Sequence, residues 1–156
     1  MAGSKEQDDR HTPETSEDLD LTYLETVEVS NTETLEAPQR GAYANRCIKN
    51  LYIRYSVHLE SFVPEILHFR GLELLDISGC GISSLAPNIA HFLPSLNILY
   101  LTDCGFTTFP DLSSFPNLVC ASLCGNSMST IPEDFLPVSL VHLMLTNNDI
   151  DRLPTA

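Results

Sequence analysis

The side chains best suited to chemistry in this 156-residue chain are its five thiols, those of Cys47, Cys80, Cys104, Cys120 and Cys124. A thiolate acts as a nucleophile or binds a metal, and zinc or redox sites usually place two cysteines as C-x-x-C, a pair that this sequence lacks. Cys104 lies between Asp103 and Gly105, so its neighbours alone leave both a reactive and a packed thiol open. The pattern of the surrounding sequence is needed to distinguish a reactive thiol from a packed one.

Other catalytic machinery is missing from the sequence. None of the motifs G-x-x-x-x-G-K-[ST], G-x-G-x-x-G and G-x-S-x-G occurs, so neither a phosphate-binding loop nor a nucleophile elbow is expected. The five histidines are scattered, and carboxylate pairs such as Asp149 with Asp151 fall in segments that read as loops. We therefore predict a protein that is not an enzyme and that needs no cofactor.

Around these residues the sequence repeats itself. Four segments share the pattern L-x-x-L-x-L-x-x-N/C-x-L-x-x-L-P with small exceptions, and they begin at Leu72, Leu96, Leu118 and Leu140. An irregular leading repeat covers 46–71, where Leu51 and Ile53 begin the same pattern. Alternating apolar residues predict a strand with one buried face, and the Gly, Asn and Asp residues that follow predict a turn. The predicted repeat domain is 46–156, with an incomplete last repeat.

The pattern resembles the leucine-rich repeat family over roughly residues 46–154. This resemblance implies an α/β fold, a short solenoid with a parallel β-sheet on the concave face and loops and short helical turns on the convex face. It also implies a protein-interaction module. The phrase FLPVSLVHLMLTNNDIDRLP further resembles microbial proteins that join leucine-rich repeats to a protein-kinase-like domain. The alternative function is therefore the truncated sensor or docking portion of such a kinase.

The repeat gives Cys104 a structural position. One place in successive repeats is held by Cys80, Cys104, Asn126 and Asn148. The resemblance implies that this side chain points inward and bonds the backbone of neighbouring turns. A thiol can replace the amide there as a small, mostly apolar group with a weak S–H donor. We therefore predict that these four residues form a structural ladder and that Cys104 does not bind a metal.

Residues between the core leucines of each strand are predicted to face the concave side. The alignment gives three rows: Asn50, Leu74, Ile98, Cys120 and His142; Tyr52, Asp76, Tyr100, Ser122 and Met144; Arg54, Ser78, Thr102, Cys124 and Thr146. An unidentified protein partner is predicted to bind there, through Tyr52, Arg54, Leu74, Asp76, Ile98, Tyr100, Ser122, His142 and Met144, since tyrosines suit interfaces. Three alternatives stay open: metal binding by Cys120, Cys124 and His142, ordinary sheet residues without a ligand, and cover by the N-terminal segment.

Residues 1–40 differ in composition from the repeats, with eleven Asp or Glu against three Lys or Arg. Such a segment buries too little apolar surface to offset its ordering entropy, so it is predicted to be a disordered acidic tail. Its apolar island, Leu19–Val29, is interpreted as solvated, with a docking peptide or a strand that pairs with the folded part as alternatives. Arg54 and Arg70 are candidates to bind the acids of this tail.

The net charge and the two ends of the sequence predict which partners are excluded, where the protein is located and how its last repeat is covered. A net charge of −13 argues against binding to nucleic acid or to a membrane surface. The sequence has no secretory signal or transmembrane run, and its odd number of cysteines favours reduced thiols, so a cytoplasmic or nuclear protein is predicted. The last repeat stops after its proline and would leave apolar residues uncovered, namely Leu143, Leu145, Ile150 and Leu153. We predict association through this uncapped repeat, or a fragment of a longer protein.

Overall fold

The computed structural model describes residues 18–20, 49–55 and 69–154. The predictions for the remainder of the acidic tail, for Cys47 and for the convex part of the leading repeat concern residues outside these ranges. The described residues form six short strands: β1 Asp18–Asp20, β2 Asn50–Tyr52, β3 Leu74–Asp76, β4 Ile98–Tyr100, β5 Cys120–Ser122 and β6 His142–Met144. A short helix, α1 at Ile89–Phe92, and a 3₁₀ turn at Glu133–Phe135 lie between strands.

All six strands belong to one sheet, in the order in which they occur along the chain, and every neighbouring pair is parallel. The register follows the repeat without a slip, since Leu51 pairs with Leu75, Leu75 with Leu99, Leu99 with Ala121 and Ala121 with Leu143. Parallel strands need a crossover connection, and the repeats from Leu72 onward supply one between each pair of successive strands. The predicted solenoid with a parallel sheet and short helical turns is confirmed.

Strand β1 comes from the range that the sequence assigns to the acidic tail. Asp18 pairs with Asn50, Leu19 with Leu51 and Asp20 with Tyr52. Leu19 therefore takes the register position of the core leucines, although 29 residues, 21–49, separate β1 from β2. Of the interpretations of the apolar island, a strand that pairs with the folded part is observed for Leu19 and Asp20, and residues 21–29 lie outside the described ranges.

The core lies between the sheet and the convex crossovers. Leu75 and Leu99 of the strand centres are almost completely buried, and so are Ile77 and Leu101, two residues further along. Phe106 and Phe115 close the core from the convex side. Burial of one such side chain contributes about 1.5–3 kcal/mol, so the repeated leucine spacing supplies most of the driving force for stacking.

The last repeat is less well covered than those before it, as the sequence predicted. Leu143, Leu145 and Ile150 are half-buried, and Leu153 is 73% exposed. The equivalent residues of the preceding repeats, such as Leu99 and Leu101, are 1% exposed. Among the described residues, core side chains pack against the repeat that begins at Leu140 from one side only.

The helical segments among the described residues are short. None of them has the length and apolar run that crossing a membrane would require.

Candidate protein-binding surface

Two of the three predicted rows of side chains coincide with the register of the sheet. Leu74 pairs with Ile98, Ile98 with Cys120 and Cys120 with His142, and the next row pairs Tyr52, Asp76, Tyr100, Ser122 and Met144 in the same way. Because successive side chains of a strand point to opposite faces, burial of the strand centres places both rows on the concave side.

A charged cluster occupies the end of the concave face formed by β2 and β3. The Nε of Arg54 donates to Oδ2 of Asp76 at 2.6 Å, and its guanidinium lies 4.7 Å from the ring centroid of Tyr52. The backbone N–H of Ser78 donates to the other carboxylate oxygen, Oδ1, at 3.0 Å. Asp76 is only 5% exposed, so this carboxylate mainly holds Arg54 in place over Tyr52.

Tyr100 lies at the centre of the concave face, two strands from Tyr52 in the same row. Burial raises the pKa of its hydroxyl above the ordinary 10.0, and the charges of Cys120, Asp76 and Tyr52 raise it further, while Arg54 opposes them. The hydroxyl is therefore protonated at neutral pH and can donate a hydrogen bond. Beside it, the hydroxyls of Thr102 and Ser122 share a hydrogen bond of 2.9 Å, and Ser122 is nearly buried.

Apolar and aromatic side chains remain accessible on this face. Five of them define what we call the concave patch: Tyr52, Leu74, Ile98, Tyr100 and Met144. The first four are half-buried and Met144 is 40% exposed. A surface of this composition is what a protein interface uses for its central contacts.

The cysteines and histidine of the concave rows do not converge on a metal site. Cys120 and Cys124 are free and half-buried, and only Cys120 neighbours His142 in register. In the described part of the chain no three side chains of His, Cys, Asp or Glu come together as metal ligands would. Two ligands are fewer than a structural zinc site requires.

Beneath the strands, the four ladder side chains make equivalent contacts. The thiols of Cys80 and Cys104 donate to the carbonyls of Ile53 and Ile77, at 2.9 and 3.2 Å. The amides of Asn126 and Asn148 donate to the carbonyls of Leu101 and Leu123, at 2.9 and 2.8 Å. In every case the acceptor is the third core residue of the preceding repeat, so this position joins each repeat to the one before it.

At this position the asparagine amide forms more hydrogen bonds than the cysteine thiol does. Oδ1 of Asn126 accepts from the backbone N–H groups of Cys104 and Phe106, at 3.2 and 2.9 Å, while Nδ2 also donates to Leu123 within its own repeat. Cys104 offers a donor but no acceptor of comparable strength. Its thiol is buried, and burial raises its pKa from 9.0 to about 12. The S–H is therefore retained as a donor instead of ionising to a reactive thiolate.

The comparisons agree with this geometry. The family described as Leucine Rich Repeat matches residues 71–92, which run from the start of one repeat through α1. The chain is also similar to "Disease resistance-like protein DSC1" of Arabidopsis thaliana, with 30% identity over 139 residues. That match covers 88% of this chain and 11% of the relative, and neither match names a protein kinase. These findings support a leucine-rich repeat protein.

Leucine-rich repeat proteins are in general protein-interaction modules, and the curvature of such solenoids creates extended concave binding surfaces. On the convex side there is a hollow of about 400 Å³ beside α1, lined largely by small hydroxyl and apolar residues. Asp111 is its one ionisable lining residue, and that carboxylate accepts from the backbone N–H and hydroxyl of Ser113. A single occupied carboxylate does not provide the paired acid and base of a hydrolytic site.

Sequence reasoning missed a second ladder of this leucine-rich repeat sheet, which we call the turn row. Five residues with left-handed backbone end the strands at equivalent places: Tyr55, Gly79, Asp103, Gly125 and Asn147. The first four each donate a backbone hydrogen bond of 2.8–2.9 Å to the following repeat. The signal was available, since the spacings of 24, 24, 22 and 22 residues repeat those of the leucines and three of the five are Gly or Asn.

Proposed function

We propose that this leucine-rich repeat chain binds a protein partner on its concave face and does not itself catalyse a reaction. The observation that carries the proposal is the concave patch, which leaves two tyrosines and three aliphatic or thioether side chains accessible on a regular sheet. Interfaces draw most of their affinity from a few large aromatic side chains near their centre. Tyr100 holds that central position, with Tyr52 two strands away.

Arg54 is the second element of the proposed interface. Its guanidinium is held by Asp76 and lies over Tyr52, so two of the predicted contact residues are fixed before any partner arrives. Ordering such a long side chain on binding costs about 0.5–1.5 kcal/mol, and prior ordering removes that cost. Asp76 and Ser122, each 5% exposed, then support the interface from below instead of contacting the partner.

The test is a comparison of proteins retained from a cell extract by the immobilised full chain and by its Tyr52→Ala/Tyr100→Ala variant. Truncation of an interface tyrosine at a central position costs about 2 kcal/mol or more, so specific partners should fall at least tenfold in the variant. Both side chains are half-buried on the sheet surface and outside the main core, so the variant should stay folded.

The matched control is Val138→Ala, which also removes an exposed apolar side chain but lies outside the concave rows. It should retain the same proteins as the unchanged chain. Equal retention by all three proteins, with the tyrosine variant folded by circular dichroism, would exclude the concave patch as the binding surface.

A further inference from the structure

The outward residues of the sheet change in chemistry along each strand, and the strand starts are apolar. Leu74 and Ile98 pair in register across β3 and β4, and both are half-buried. Val119 and Val141 directly precede β5 and β6 and are 39% and 67% exposed. The backbone N–H of Val141 donates to the carbonyl of Val119 at 2.9 Å, and that of Val119 to the carbonyl of Asn97 at 2.8 Å, so the strand starts lie side by side. We call Leu74, Ile98, Val119 and Val141 the apolar track.

The strand ends carry small polar groups instead. Beyond Arg54, the third row consists of side chains with a hydroxyl or a thiol, namely Ser78, Thr102, Cys124 and Thr146. Their backbone carbonyls accept from the turn row at 2.8–2.9 Å, which places these residues side by side as well. Tyr52 and Tyr100 lie in the row between the apolar track and the third row. The surface is therefore amphipathic across its width.

Charge along the three rows is sparse and balanced. Arg54 and Asp76 are the only Lys, Arg, Asp or Glu among the row residues, and they pair with each other at 2.6 Å. The row residues of β4, β5 and β6 carry no carboxylate, ammonium or guanidinium group. A charged side chain buried against them would lose its hydration without gaining a counter-ion, so the complementary partner presents uncharged apolar groups there.

The backbone of this face offers no pairing to a ligand. Strands β3, β4 and β5 each pair with a neighbour on both sides, so their N–H and C=O groups are used within the sheet. An extended segment laid on the face would bury its own N–H and C=O groups without partners, because strand addition takes place at a sheet edge. An α-helix pairs these groups internally and avoids that cost.

The dimensions of the face also fit a helix. Neighbouring strands lie about 4.8 Å apart, so β2 to β6 span about 19 Å, the length of about 13 helical residues. One helical turn rises about 5.4 Å, close to the strand spacing, whereas side chains on one side of an extended segment recur every ~6.7 Å. The first and third rows are separated by about 13 Å along a strand, similar to a helix diameter of about 10–12 Å.

From this arrangement we infer that the partner segment is an amphipathic α-helix that lies across the strands, an inference that rests on the function proposed above. Its apolar stripe, with residues at i, i+3, i+4 and i+7, covers the apolar track. Its polar flank meets the hydroxyl groups of Tyr100 and of the third row. The apolar track thus extends the interface beyond the concave patch to Val119 and Val141.

The experiment compares two phage-displayed libraries of 14-residue peptides on the immobilised full chain. The first has an Ala- and Gln-rich frame with randomised positions i, i+3, i+4, i+7 and i+11, and the second is identical except for a central proline that prevents a helix. We expect enrichment of the first library, with aliphatic or aromatic residues at the randomised positions. Equal enrichment of the proline library, charged residues at the randomised positions, or enrichment of neither library would overturn the inference.

Proline substitutions in an enriched peptide test its conformation directly. A proline at the centre should weaken binding roughly a hundredfold, because that is what proline costs in a helix interior. A proline at the first helical position is tolerated in a helix and should leave the affinity within twofold. Equal effects of the two substitutions would show that the bound peptide is not helical.

Variants of the chain locate the helix on the apolar track. Val119→Thr/Val141→Thr keeps the branched shape of two exposed side chains, so the fold should be retained by circular dichroism, and the enriched peptide should bind at least tenfold more weakly. Val138→Thr makes the same change at an exposed valine outside the rows and should leave the affinity unchanged. Equal affinity for both variants would overturn the role of the apolar track.

The outcomes separate the inference from the proposed function. If peptides of the proline library bind and are lost in Tyr52→Ala/Tyr100→Ala, the concave patch is a binding surface but its partner is not a helix. If helical peptides bind equally well to that tyrosine variant, they do not use the concave patch, and the proposed function fails for them as well.

Discussion

At the scale of single residues, Cys104 shows how a thiol serves where other repeats use an amide. Its Sγ reaches the carbonyl of Ile77 at 3.2 Å, and the same position in the next repeat carries Asn126. The place of Cys104 in the ladder could be predicted, because the repeat spacing puts it in line with Asn126 and Asn148. The specific acceptor of its hydrogen bond, the carbonyl of Ile77, could not be predicted, because it lies 27 residues earlier in the chain.

The buried thiol of Cys104 predicts a stability change at alkaline pH. Its folded pKa of about 12 lies above the ordinary 9.0, so stability is full below pH 9 and falls as the pH rises towards 12. The loss from this one group should approach about 1.4 kcal/mol per pH unit within that window. Urea unfolding at pH 8, 9.5 and 10.5 measures it, and Cys104→Ala should show a shallower decline.

Alkylation of the native chain with iodoacetamide at pH 8 gives the companion readout. Cys120 and Cys124 are half-buried and should react before Cys80 and Cys104, which are 2% and 3% exposed. Modification of Cys104 at the rate of Cys120, or identical pH profiles for the chain and Cys104→Ala, would contradict the packed-thiol assignment.

At the scale of elements, the turn row fixes how each strand ends. Gly79 has φ 70°, and a Cβ added there would lie 2.5 Å from Cδ1 of Tyr55 in the preceding repeat. At Gly125, φ is 66° and an added Cβ would meet the carboxylate of Asp103. Glycine therefore alternates with larger residues in the turn row, and each glycine makes room for the side chain of the repeat before it.

This arrangement predicts that Gly79→Ala destabilises the chain. A left-handed residue with a Cβ costs about 1–2 kcal/mol, and displacement of the Tyr55 ring adds to that cost. Thermal or urea unfolding measures the loss. The turn chemistry after each strand could be predicted from Gly and Asn, whereas the fit of Tyr55 against Gly79 depends on how closely two repeats stack.

Two other glycines provide the controls for this prediction. Gly105 is left-handed with φ 85° but has open space around its Cα, so Gly105→Ala isolates the backbone strain. Gly71 has open space and no such backbone conformation, so Gly71→Ala should be close to neutral. The expected order of destabilisation is Gly71, Gly105, Gly79, and a Gly79→Ala variant as stable as Gly71→Ala would refute it.

At the scale of the whole molecule, burial is uneven along the sheet. Leu51 in β2 is 1% exposed, whereas Leu143 in β6 is half-buried. Val141 and Leu153 are also exposed at the β6 end. The β6 end of the described sheet is therefore less well packed than the β2 end.

We accordingly predict that Leu99→Ala and Leu143→Ala differ, although the two leucines occupy the same register column. Removal of a fully buried leucine costs about 2–5 kcal/mol. Leu143→Ala should cost roughly half as much, because water already reaches part of that side chain. Urea midpoints measure both losses, and equal losses would show that the last repeat is as well packed as the central one.

The sequence by itself determined the repeat, its register and the rows of the concave face. The leucine spacing fixes these, because a shift of one residue in a strand would turn every core side chain towards solvent. Only the tertiary structure decided that Asp18–Asp20 pairs with β2, that Asp76 is buried beneath Arg54, and that the turn row stacks as it does. These features depend on contacts between residues 22 or more positions apart, where a repeat pattern specifies neighbours but not the side chains that meet.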